Sequence, residues 1–115
     1  MNPLSRMDKR TRRFVELQQY GCLACRKLGF VQPPDIHHQL SGGKRIGDHA
    51  TIPLCPYHHR GVWVDRFVRF SLAQAHLGPS LALEPKAFRT MFGTDEQLLA
   101  EIERHFTDRK VTQDE

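Results

Sequence analysis

Apolar residues recur at helical spacing near both ends of the chain and lose that period in the middle. Arg13, Phe14, Leu17 and Tyr20 fall at the intervals of a helix face near the N-terminus. Phe67, Val68, Phe70 and Leu72 predict a second amphipathic segment, interrupted at Gly78-Pro79. Pro85 to Phe92 predicts a short helix, opened by a proline in its first turn and closed by Gly93. Thr94 followed by Gln97 is the pattern of a capping box for a last helix, with Leu98, Leu99, Ile102 and Phe106 on one side. From Thr107 the chain is polar and is expected to fray.

Between residues 21 and 61 helical periodicity gives way to glycine, proline, cysteine and histidine. Asp35-Ile36-His37-His38 reads as a short strand after the Pro33-Pro34 breaker. Thr51-Ile52-Pro53-Leu54 reads as its partner, across a loop containing Gly42, Gly43 and Gly47. Pro53 has no N–H to give a ladder, which places that strand at an edge. Pro56 fits the first turn of a short helix carrying Tyr57, His58 and His59. The predicted order is strand, loop, strand, helix.

A chain of 115 residues, 39% hydrophobic, supports one small domain with little apolar area for a large core. It has no run of ~18 apolar residues to span a membrane and no signal-peptide core near its start, so no membrane partner is expected. The net charge of +4 is unevenly spread: residues 1–27 hold Arg6, Lys9, Arg10, Arg12, Arg13, Arg26 and Lys27 against only Asp8 and Glu16. The remainder is slightly acidic. This basic arm reads either as a phosphate-contacting segment or as the solvated face of a helix.

The chain's 3 cysteines and 7 histidines change the picture most. An odd number of cysteines argues against a disulfide framework. Cys22 and Cys25 form a Cys-x-x-Cys pair, with Arg26 and Lys27 following to favour the thiolates. Cys55 and His58 repeat the same two-residue gap, and His59, one position on, faces another way on a helix. Structural zinc is held by four such ligands in a tetrahedron, so Cys22, Cys25, Cys55 and His58 are expected to bind it. A short chain with a loop-rich centre cannot easily hold that centre by apolar burial alone.

His37, His38 and His59 are then left over on the same scaffold. Adjacent strand residues point to opposite faces, so His37 and His38 are expected to divide two roles, one ligating a metal and the other facing substrate as a base. A divalent ion with open positions suits a scissile phosphate, and a neutral imidazole can take a proton from attacking water. The pattern points to metal-assisted phosphodiester hydrolysis.

The Cys-x-x-Cys pair, Asp35-Ile36-His37-His38 and Ile52-Pro53-Leu54-Cys55-Pro56-Tyr57-His58-His59 together resemble the zinc-stapled variant of an HNH (ββα-metal) endonuclease. The resemblance implies that His37 and His59 ligate a catalytic Mg²⁺ or Mn²⁺ and that His38 is the general base. The middle residue of that motif would be asparagine, and Ala50 stands in its place. Asp48 or His49 is the candidate to substitute, as a third ligand or as a residue that orients the loop. With Gly21, Arg60-Gly61, Gly78-Pro79-Ser80-Leu81 and Phe92-Gly93, the pattern is further similar to the phage recombination-enhancement, RecA-dependent nuclease family. That resemblance implies a phage- or prophage-encoded DNA endonuclease in the bacterial host cytoplasm, acting with RecA-coated single-stranded DNA, as a monomer or dimer.

The expected fold is therefore α+β: a small zinc-stapled ββα-metal core over 21–61, a basic arm or helix over 1–20, a helical part of the same domain over 62–107 and a polar tail over 108–115. Arg60 is placed to meet charge developing on phosphate, and Lys44 and Arg45 to contact backbone phosphates. Asp35 shares a strand face with His37 and is a candidate to orient it, or is a plain turn residue. His76 and His105 read as surface or packing residues, and Trp63 as a core or lid aromatic. The competing function is a non-catalytic zinc-ribbon adaptor that binds DNA or protein and gives His38 no role beyond packing.

Overall fold

A computed structural model of the chain describes residues 8–62 and 70–113. The first helix, α1 (Lys9–Tyr20), is capped by Asp8, whose carboxylate accepts the Thr11 backbone N–H at 2.7 Å. Its inward face buries Leu17 and half-buries Phe14 and Tyr20. The Cys-x-x-Cys segment that follows coils into a short helix, α2 (Leu23–Lys27).

Strands β1 (Asp35–His38) and β4 (Thr51–Leu54) pair antiparallel, with His37 opposite Ile52 and His38 opposite Thr51. The expected partnership of these two segments is what forms. Between them the glycine-bearing loop makes its own small hairpin, β2 (Leu40–Ser41) with β3 (Lys44–Arg45). Its two-residue turn is Gly42-Gly43, both at positive φ (60° and 81°), the conformation that matches strand twist in tight hairpins. All four residues of β4 are buried, because α1, α2 and α6 pack against it.

The helix α3 (Pro56–Arg60) begins on Pro56, as expected, and ends at Gly61 in the left-handed region. A side chain on Gly61 would be strained there and would also meet Leu83 Cγ at 2.7 Å. Beyond it come α4 (Phe70–Leu77), α5 (Pro85–Phe92) and α6 (Asp95–Gln113). The predicted α5 and its Gly93 cap form as read. The capping box at α6 also forms: the Thr94 N–H donates to Gln97 Oε1 at 2.9 Å and the Gln97 N–H to Thr94 Oγ1 at 3.2 Å.

Two expectations need correction here. Leu72 is 52% exposed, and α4 instead turns Ala73 and Leu77 inward. The polar tail does not end the last helix at Thr107, since α6 runs on to Gln113. Trp63, Phe67 and Val68 lie outside the described residues. The core joins Leu17, Leu23, Ile52, Leu54, Phe88, Leu98 and Ile102, so both ends of the chain close over the central strands. The architecture is a small mixed α+β fold, and no described helix is long and apolar enough to cross a membrane.

Candidate functional site

Cys22, Cys25, Cys55 and His58 are all buried, and one ligand atom from each lies within 4.8 Å of the others. The arrangement follows from two short helices that begin alike. Cys22 caps α2, its Sγ accepting the Cys25 N–H, and Cys55 caps α3, its Sγ accepting the His58 N–H. Each helix start therefore offers one thiolate from its cap and a second ligand three residues on. Zinc bonds of ~2.3 Å to sulfur and ~2.0 Å to nitrogen, set in a tetrahedron, put ligand atoms ~3.5–3.8 Å apart. Here Cys25 and Cys55 Sγ are 3.8 Å apart, and His58 Nδ1 lies 3.5, 3.4 and 3.4 Å from Cys22, Cys25 and Cys55 Sγ. The donor set and its spacing fit a structural metal such as zinc.

The other ring nitrogen of His58 completes the argument. Nε2 lies 2.8 Å from the Leu77 carbonyl oxygen, which can only accept, so Nε2 carries the hydrogen and Nδ1 is the atom left to ligate a metal. Without a cation the cluster must share protons among buried sulfurs. Hydrogen bonds from Cys22 and Cys25 draw the Cys55 thiol far below its ordinary range, against burial. Hydrogen bonds to Cys22 and Cys55 push Cys25 far up, with burial adding to the rise. For His58 burial is the largest influence and lowers the pKa, yet Cys22, Cys55 and the Leu77 carbonyl outweigh it and raise the group to about 10. Cys22, Cys25, Cys55 and His58 Nδ1 would hold a dication there, whose charge would replace that of the imidazolium proton among the thiolates.

The second group of histidines is brought together only in part. His37 on β1 and His59 on α3 meet edge to face, with ring centroids 4.9 Å apart. His37 is held down to about pKa 4, first by burial and then by the neighbouring His59, with Asp95 opposing, so its imidazole is neutral at physiological pH. Asp35 Oδ2 lies 3.3 Å from His59 Nδ1 and accepts from Arg60 Nε at 2.9 Å. Among the described residues, the only group of three or more ligand atoms close enough to hold a metal is the Cys₃His cluster.

His38 sits apart. It packs edge-on against Phe14 of α1, and its Nε2 is buried 3.5 Å from Asp48 Oδ1, too far for a good hydrogen bond. Asp48 thus neighbours His38 and Arg10 (3.3 Å), away from the His37–His59 pair. His49 lies on a cleft of about 600 Å³ between α1, the β3–β4 loop and α6, lined also by Lys9, Arg10, Arg12 and Arg13. Part of the basic arm is internally neutralised in that cleft: Arg13 pairs with Glu103 at 2.7 Å and also donates to Thr51, while Arg10 pairs with Asp48.

Lys44 and Arg45 are exposed on the small hairpin. His76 is exposed and His105 packs edge to face with Tyr20, the surface and packing roles expected of them. The sequence reading did not find the grip of Asp35 on His59 and Arg60, nor the influence of Asp95 and Arg89 on His37. Both depend on long-range packing that leaves no local spacing signal.

Comparison with known proteins bears on this geometry. The family model described as recombination enhancement, RecA-dependent nuclease matches residues 7–107. No curated protein and no solved structure matches.

Proposed function

Because the chain belongs to the recombination-enhancement, RecA-dependent nuclease family, we propose that it is an HNH-type, metal-dependent DNA endonuclease that hydrolyses phosphodiester bonds in concert with RecA filaments. The observation that carries the reading is the meeting of two imidazoles from separate elements, His37 on β1 and His59 on α3, beside a zinc-type cluster that fixes α3. His37 is neutral and half-buried against this second histidine, the protonation state that a metal ligand needs.

In this reading His37 and His59 hold a Mg²⁺ or Mn²⁺ ion. Such an ion supplies charge neutralisation at the scissile phosphate and its leaving oxygen. Arg60, exposed beyond Asp35, meets phosphate charge. His38 takes the proton from attacking water, which requires its imidazole to turn out from beneath Phe14. DNA is gathered by the cations of α1 and by Lys44 and Arg45.

The burial of His38 Nε2 is the one observation that favours the competing reading, a zinc-ribbon adaptor that binds without cutting. Plasmid nicking separates the two, with Mg²⁺ or Mn²⁺ and with or without RecA filaments on single-stranded DNA. Wild type should cut, and His38→Ala should be slowed by about 10²–10⁴-fold, the usual contribution of a general base. No cutting by wild type under any of these conditions favours the adaptor, and equal rates for the two proteins remove His38 from its assigned role.

A further inference from the structure

We propose that Asp35 is a positioning residue for His59, fixing which ring nitrogen carries the hydrogen and which keeps the lone pair. The inference rests on the reading of His37 and His59 as metal ligands. Asp35 opens β1, opposite Leu54 in the register, at the end of the strand that abuts α3. It shares a strand face with His37, the residue it would be expected to serve from sequence. The fold instead directs its carboxylate across to α3, where one oxygen, Oδ2, lies between His59 Nδ1 and Arg60 Nε.

A carboxylate offers only acceptors, and a neutral imidazole has one N–H and one lone pair. Hydrogen bonding of Nδ1 to Asp35 therefore places the hydrogen on Nδ1 and the lone pair on Nε2. In water a free imidazole side chain favours the opposite tautomer, so the carboxylate makes the difference. His58 shows the complementary choice one residue earlier: Leu77 holds the hydrogen on Nε2 and leaves Nδ1 for the thiolate cluster. Two adjacent histidines on one helix are thus set to opposite tautomers by partners on different elements, with the lone pair on Nδ1 of His58 and on Nε2 of His59. Arg60 donates to the same carboxylate oxygen at 2.9 Å, a second tie of Asp35 to α3 that leaves the tautomer of His59 to Asp35 alone. The side chains of Asp35 and His59 are only 31% and 24% exposed, so water competes weakly for these bonds.

The test uses the full zinc-loaded chain, ¹⁵N-labelled at histidine, with the His59 ring signals assigned by loss in His59→Gln. Wild type should show a protonated Nδ1 and an unprotonated Nε2. In Asp35→Ala the pattern should invert or average, while Arg60→Ala keeps it. Affinity for Mn²⁺, titrated by electron paramagnetic resonance, should fall about 10–100-fold in Asp35→Ala, the usual effect of removing a carboxylate behind a ligand histidine. Asp35→Asn, which keeps an acceptor oxygen, should recover the tautomer and part of the affinity. Zinc content and circular dichroism should stay those of wild type in all three variants. An unchanged His59 tautomer in Asp35→Ala would overturn the proposal and leave Asp35 as a tie between β1 and α3. A tautomer switch in a chain whose wild type binds no Mn²⁺ would uphold the role of Asp35 and remove the metal reading of the pair.

Discussion

His37 is half-buried and His58 fully buried, yet the fold moves their pKa values in opposite directions. His58 has sulfurs and a carbonyl to share its hydrogens and rises to about 10, whereas for His37 burial and His59 outweigh the pull of Asp95 and the group falls to about 4. The depressed group has a consequence for stability. An unfolded chain takes up a proton at His37 near its ordinary value of 6.5, while the folded chain resists until about 4. The contribution of neutral His37 is therefore complete above pH 6.5 and is lost as pH falls from there toward 4. Urea midpoints of the zinc-loaded protein at pH 7.5 and 5.0 should fall further for wild type than for His37→Gln. Equal losses would show that His37 titrates as it does in water. The zinc cluster, whose thiolates also protonate in acid, is common to both proteins and cancels in the comparison.

At the scale of elements, local chemistry decides where helices start and stop. The box at Thr94 and Gln97 satisfies two N–H groups at the head of α6. Thr94→Ala should lower stability by about 1 kcal/mol, read as a shift in urea midpoint at unchanged slope, and a neutral result would mean that water replaces the cap. This element was legible because a cap is encoded within four residues. The inward face of α4 was not: apolar residues spaced at 67, 68, 70 and 72 mark a helix but do not say which stripe the rest of the fold will cover. Burial falls on Ala73 and Leu77 because Leu77 must reach His58 with its carbonyl. The β2–β3 hairpin was read as loop for a related reason. Its strands hold only two residues each, all exposed, so no alternation of apolar and polar positions announces them.

For the molecule as a whole, α3 is the hub. Through His58 it joins α2 at the metal cluster, and the same ring packs against Phe92 and Phe88 of α5 with centroids at 5.2 and 6.3 Å. Its Tyr57 hydroxyl donates to the Gly78 carbonyl, and its His58 carbonyl accepts from Leu81. Zinc can supply on the order of 10 kcal/mol of apparent folding energy, comparable with the entire stability of a small domain of about 5–15 kcal/mol. Removal of zinc by a strong chelator should therefore release α5 together with residues 21–61, seen as lost helical circular dichroism and lost hydrogen-exchange protection at Phe88 and Phe92. Protection kept in α5 while the central region opens would show that the two parts fold separately. Adding zinc back should restore both with release of protons. Short spacing alone encodes the four cluster residues of two matching knuckles, the strand–loop–strand–helix order, the prolines and glycines that bound α3 and α5, and the cap of α6. Which imidazoles meet depends on packing between distant elements. His37 finds His59, His38 turns under Phe14 toward Asp48, and Asp35 serves α3 in place of its own strand neighbour. Strand alternation separates adjacent side chains by rule, but their partners are chosen by how β1, α1 and α3 pack.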